Sequence, residues 1–150
     1  MTNDEIIDLL RKAYSDEMET VMNYLTNSIV LDGVRAQEVK QGLRRDATEE
    51  ELQHAQMIGE RLKQLDARPP ASMEFEPHQE SLQPPEDPGD LLSVIDGVIE
   101  AENDAIDTYR SLITAAEEAD DPVTEDLAVT ILTDEESHRA EFKSYRREYS

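Results

Sequence analysis

The sequence predicts an all-α protein, a four-helix bundle with one long crossover between its second and third helices. Three observations predict it. Apolar residues recur at helical spacing in four segments, no run of alternating β-branched residues occurs, and a proline-rich stretch divides the four segments into two pairs. With 150 residues the chain suffices for one domain over 1–150, long enough to bury a core without disulfides.

The first helix opens at Thr2-Asn3-Asp4-Glu5, where Thr2 and Glu5 have capping-box spacing, and turns Ile6, Leu10, Ala13, Val21 and Leu25 to one side until Gly33 stops it. The second runs from about Val34 to about Leu65 with Val39, Leu43, Ala47, Ile58 and Leu62 on its stripe. A short connection makes these two an antiparallel hairpin. Between Arg68 and Gly89 lie six of the seven prolines. Proline lacks the N–H of a helical hydrogen bond and clashes with the preceding turn, so residues about 66–88 form a non-helical crossover. A helix of about 30 residues is about 45 Å long, and about 20 extended residues span that distance.

Asp87-Pro88 and Asp121-Pro122 each place an acidic cap before a proline at the first helical position, which predicts the starts of the third and fourth helices. The third carries Leu92, Ile95, Ile99, Ile106, Tyr109 and Ile113 inward; the fourth carries Leu127, Ile131, Phe142 and Tyr145. Hairpin, long crossover, hairpin gives an up-down-down-up bundle.

Composition narrows the function. Thirty-six acidic residues against 14 basic give a formal charge of −22, which repels nucleic acid. A self-repelling acidic surface with few lysines suits a cytoplasm whose salt screens it, so a halophilic source is expected. Zero cysteines exclude disulfides, thiolate metal sites and iron–sulfur clusters, leaving Asp, Glu and His to hold any metal. No apolar run approaches the roughly 18 residues of a membrane span, and the first residues lack a signal-peptide pattern, so a cytoplasmic protein without a membrane partner is expected.

In so acidic a chain most carboxylates form a solvated face, and the informative ones lie on apolar stripes. The stripe of the first helix holds Glu17, with Asp16 and Glu19 pointing elsewhere. That of the second holds Glu51 and His54, one turn apart, and that of the third holds Glu102. The fourth holds Glu135 and His138, again at Glu-x-x-His spacing. The two halves repeat: Glu17 precedes Tyr24 as Glu102 precedes Tyr109, and each half ends in its Glu-x-x-His. Four unpaired carboxylates in a core would cost several kcal/mol each, more than a domain's stability absorbs. A pair of dications cancels that charge, and oxygen plus imidazole ligands suit iron, manganese or zinc. Tyr24 and Tyr109 are candidates to hydrogen-bond a ligand or supply an electron, or are simply core tyrosines. Asp46, Glu49 and Glu50 are either surface charge or an iron path toward the site, and His78 in the crossover reads as a surface residue.

These residues resemble the ferritin-like diiron-carboxylate family, in which one Glu from each of two helices and a Glu-x-x-His from each of the other two build the centre. The pattern falls on Glu17, Glu51, His54, Glu102, Glu135 and His138 and covers essentially the whole chain. Asp16-Glu17 with Tyr24, Glu51-Leu52-Gln53-His54-Ala55 and Asp134-Glu135-Glu136-Ser137-His138 are similar to bacterioferritin motifs. Bacterioferritins carry a haem-ligating Met directly after the second-helix Glu; Leu52 stands there, so no haem is expected at that position. Their subunits continue into a fifth helix that builds a closed shell. This chain stops at Ser150, which leaves a homo-oligomer of dimer or shell size open. Rubrerythrins add a Glu where this chain has Ala105.

The resemblance implies a ferroxidase that binds two Fe ions, with Glu51 and Glu135 bridging, Glu17 and Glu102 terminal and one histidine per iron, and oxygen or peroxide as oxidant. Two alternatives keep the site: a manganese or mixed-metal enzyme acting on peroxide or an organic substrate, and a non-enzymatic metal buffer, which includes structural zinc.

Overall fold

The fold is a computed structural model in which residues 3–149 are described; the Thr2 half of the expected capping box lies outside them. Helix α1 (Asn3–Val30) buries Ile6, Leu10, Ala13, Glu17 and Tyr24, three, four or seven residues apart, so one face turns inward. It ends before Gly33, whose φ of 112° side-chain-bearing residues rarely adopt. After a single 3₁₀ turn at Val34–Ala36 come α2 (Gln37–Arg45), a π-helical segment (Asp46–Glu51) and α3 (Leu52–Gln64). The junction residues Asp46 and Leu52 keep helical dihedrals, so the second predicted helix is one rod interrupted by a π turn. The interruption falls where Thr48-Glu49-Glu50 carries no apolar residue to register it.

The second hairpin is α4 (Leu91–Glu118) and α5 (Pro122–Tyr149). The rods before the two loops end alike. Asp66 and Asp120 take positive φ (63° and 55°), and the residue after each donates its N–H back into the helix, Ala67 to Leu62 at 2.9 Å and Asp121 to Ala116 at 2.8 Å. A short polar side chain tolerates the left-handed conformation this helix end requires.

Pro122 opens α5 as predicted, with Asp121 accepting from the Thr124 N–H at 3.1 Å. At α4 the expectation is corrected: Asp90, not Asp87, caps the helix, accepting from the Ser93 N–H at 3.1 Å. Asp87 closes a turn by accepting from the Gly89 N–H, and the Pro88 carbonyl accepts from the Asp32 N–H at 2.9 Å. That last bond sets the end of α1 beside the start of α4. Arg61 likewise donates to Asp121 at 2.9 Å, setting the end of α3 beside the start of α5. The connections therefore run up, down, down, up.

Two apolar clusters fill the bundle. One gathers Tyr24, Leu31, Leu43, Leu82, Ile95 and Phe142; the other gathers Ile6, Leu10, Ile58, Leu62, Leu112 and Ile131. On every rod buried polar residues lie between the two clusters. No helix among the described residues is long and apolar enough to cross a membrane.

Candidate metal centre

The polar layer is where the six singled-out residues meet. Glu17 comes from α1, Glu51 from the end of the π segment, His54 from the first turn of α3, Glu102 from α4, and Glu135 and His138 from α5. None is more than 4 % exposed. Their donor atoms form two overlapping sets: Glu17, Glu51, His54 and Glu135, and Glu51, Glu102, Glu135 and His138, each within 4.8 Å of one another. Glu51 and Glu135 belong to both. The arrangement therefore offers two adjacent positions, each faced by its own Glu and His and by two shared carboxylates.

The histidines face inward through Nδ1. His54 Nδ1 lies 3.2 Å from Glu17 Oε2 and 3.2 Å from Glu135 Oε1; His138 Nδ1 lies 3.0 Å from Glu51 Oε1 and 3.2 Å from Glu102 Oε2. Their Nε2 atoms face outward, His54 to Asp134 Oδ2 at 2.8 Å and His138 to Glu50 Oε2. Asp134 and Glu50 directly precede the two shared glutamates. The acid before Glu135 thus braces His54 and the acid before Glu51 braces His138, a contact that fixes the ring orientation and tautomer of a ligating imidazole. Sequence reasoning missed both braces. The signal was an acid before the Glu of each Glu-x-x-His motif.

The tyrosines cross between helices. Tyr24 of α1 donates to Glu102 Oε1 of α4 at 3.4 Å, and Tyr109 of α4 donates to Glu17 Oε1 of α1 at 3.0 Å. Burial and the surrounding carboxylates push both phenols well above their ordinary value, so they act as O–H donors.

Burial, then the charge of Glu135, pushes Glu17, Glu51 and Glu102 upward. Glu135 is also driven up by burial, but the close imidazole of His54 and the charges of His138 and His54 outweigh this and hold it low. Burial disfavours charge on the imidazoles, yet the carboxylates of Glu135 and Glu17 close to His54 carry it up to about 11, and that of Glu102 close to His138 carries it up to about 10. The cluster gathers positive charge because its carboxylates demand it.

The donor chemistry fits a metal pair at one further point. Both carboxylate oxygens of Glu51 and of Glu135, Oε2 of Glu102 and Nδ1 of His138 are buried without a hydrogen-bond partner among the described residues. Orphaned atoms of this kind are rare in folded proteins and costly. These all point at one another, as ligand atoms around cations do.

Two neighbours, Asp46 and Glu19, depart from the sequence expectation, and His78 keeps to it. Asp46 is 1 % exposed, and with Glu50 and His138 it forms a third group of donor atoms; burial raises it to about 7, with His138 and Arg45 opposing. The π turn explains its burial, since the widened turn brings Asp46 and Ala47 inward together with Glu51. Glu19 is also buried, because its carboxylate accepts backbone N–H groups of the crossover. His78 is exposed, but its ring pairs with Asp16 at 3.0 Å and Glu19 at 3.5 Å. Glu49 stays exposed.

The ferritin-like domain family profile matches residues 7–150. The chain is similar over 99 % of its length, and 88 % of the other chain, to the solved bacterioferritin of Rhodobacter capsulatus, which has a metal-free dinuclear site and a haem iron (TM-score 0.83, 20 % identity). At the same coverages it is similar to the dodecameric, bacterioferritin-related thioferritin of Bacteroides fragilis (TM-score 0.88, 26 % identity). No protein among the curated sequences matches it. With the family profile covering all but the first six residues, and four rods meeting at a buried layer of carboxylates and imidazoles, this chain belongs to the ferritin-like domain family.

Proposed function

We propose that this protein takes two Fe(II) ions as substrate at Glu17, Glu51, His54, Glu102, Glu135 and His138 and oxidises them to Fe(III) with oxygen or peroxide, in iron storage or detoxification. The observation that carries this reading is the sharing of Glu51 and Glu135 between two donor sets whose buried oxygens lack hydrogen-bond partners. Two cations replace the protons that the cluster otherwise gathers. Each Fe(II) gives up one electron, and paired ions deliver two together, which with two protons takes oxygen to hydrogen peroxide, or hydrogen peroxide to two waters, without releasing a one-electron radical.

This chain's residues have distinct parts. Glu51 and Glu135 hold the two ions at a fixed separation, Glu17 and Glu102 close the two ends, and Asp134 and Glu50 keep the imidazole Nδ1 atoms inward. The Tyr24 and Tyr109 hydroxyls steady the terminal glutamates and are placed to donate a proton or an electron nearby. Leu52, 46 % exposed beside Glu51, offers no haem ligand. The likeness to a dodecameric thioferritin supports a homo-oligomer, and the acidic surface supports work in a salt-rich cytoplasm.

Anaerobic Fe(II) titration followed by oxygen or peroxide tests the reading. Saturation at two Fe(II) per chain and rapid oxidant consumption are expected. Fe(II) binding without oxidant consumption would leave a metal buffer instead. Preference for manganese with peroxide disproportionation would leave the manganese enzyme.

A further inference from the structure

The six centre residues are almost wholly buried, so a cation must pass a wall to reach them. A cavity of about 480 Å³ extends from the surface to Glu17, between Asp16 and Thr20 of α1, Glu100 and Asp104 of α4, and crossover residues 78–81. Its acidic walls favour a divalent cation over an anion. The crossover forms the third wall, and it is held there with unusual firmness.

On the α1 side the buried Glu19 carboxylate accepts from the His78 N–H at 3.1 Å and the Gln79 N–H at 2.6 Å. Asn23 donates to Gln79 Oε1 at 2.7 Å, Gln79 Nε2 donates to Thr20 Oγ1 at 3.0 Å, and Asn27 donates to the Leu82 carbonyl at 2.7 Å. On the α4 side Gly97 admits the Ser81 carbonyl so closely that any Cβ there would collide with it. Connecting loops usually leave their backbone to water. Here one buried acid, two asparagines and a glycine fix the very stretch that walls the cavity.

We propose that residues 78–82 are a strap that gates divalent-cation passage to the centre, and that Glu19 and Gly97 are the positioning residues holding it down. The proposal rests on the dinuclear reading above. A gate changes the barrier to passage and leaves the bound and free end states alone, so it acts equally on entry and exit.

Co(II) is the probe. Stopped-flow mixing with the metal-stripped full-length protein, followed by visible ligand-field absorption, reads entry, and extraction by a chelator reads exit. Glu19→Gln, which weakens the carboxylate's hold on the strap N–H groups, and Gly97→Ala, whose Cβ collides with the Ser81 carbonyl, are each expected to speed both processes about tenfold, with two Co(II) per chain and Kd unchanged. Gln79→Ala, on the strap itself, is expected to act in the same direction and decides the matter if either helix variant fails to fold. Wild-type rates in a variant that still binds two Co(II) overturn the strap. So does a weakened Kd with unchanged entry, which marks a structural role only. Failure of the wild-type protein to bind two Co(II) overturns the dinuclear reading itself, and the gate with it.

Discussion

At the scale of single residues, Glu51 carries opposite values for stability and function. Buried beside Glu135 and Glu17, its charge is a cost to the folded chain that a bound proton or a cation must offset. Glu51→Gln keeps the volume and removes the charge, so the metal-free variant should be more stable by about 1–2 kcal/mol while losing the second metal equivalent. Thermal melts beside Co(II) titrations check this, and a variant that melts lower and binds two ions would refute it. Asp134→Ala leaves the six proposed ligands in place but frees the His54 ring, so metal affinity should fall about 10–100-fold with the metal count unchanged. Both histidines are raised in the folded state, to about 11 and 10, as are Glu17, Glu51 and Glu102. The folded chain therefore binds more protons than the unfolded one above the ordinary carboxylate range. The sign follows: stability from these groups is full at lower pH and is lost as pH rises toward 10–11. Stripped of metal, the protein should melt at progressively lower temperature from pH 6 to pH 10, while metal affinity, competing with those same protons, should rise over that span. A melting temperature that rises with pH would contradict the charge arrangement.

At the scale of elements, two acids cap helices with unequal stakes. Asp90 makes one exposed cap bond to Ser93 N–H. Asp121 accepts from the Thr124 N–H and hydroxyl and from Arg61, so it caps α5 and ties that helix start to the end of α3. Asp90→Ala should cost about 0.5–1 kcal/mol and Asp121→Ala about 2–3 kcal/mol in denaturant unfolding, where equal costs would mean that the Arg61 tie contributes nothing. The second rod shows how an element can be read and yet misdrawn. Val39, Leu43, Ala47, Ile58 and Leu62 marked its buried stripe, and all five are buried. The π turn between them was invisible because periodicity is carried by apolar residues and Asp46–Glu51 holds only Ala47. Its consequence, a buried Asp46 beside His138, was invisible for the same reason.

At the scale of the whole molecule, charge dominates. A formal charge of −22 on 150 residues presses the chain apart, and the repulsion is screened as ionic strength rises. Melting temperature should therefore climb from dilute buffer to molar potassium chloride; a flat response would remove the case for a salt-adapted source. The bundle's division into two apolar clusters with a polar layer between them also belongs to this scale. Each cluster supplies packing on its own side, so the layer can hold six ionisable side chains that no apolar core would accept alone.

Read along the chain alone, the residues specify the all-helical bundle, the long crossover and the six side chains that meet in the buried polar layer. Those are one-dimensional facts: which residues share a helical face, where prolines forbid a helix, and which acids interrupt apolar stripes. The tertiary structure alone decided everything that depends on which rods touch. It paired Tyr24 with Glu102 and Tyr109 with Glu17, set Asp134 and Glu50 behind the opposite histidines, and turned Glu19 from an outward acid into the anchor of the crossover. Helical periodicity fixes a side chain's direction relative to its own axis, whereas its partner depends on the neighbouring rod's rotation and depth, which packing sets across the whole bundle.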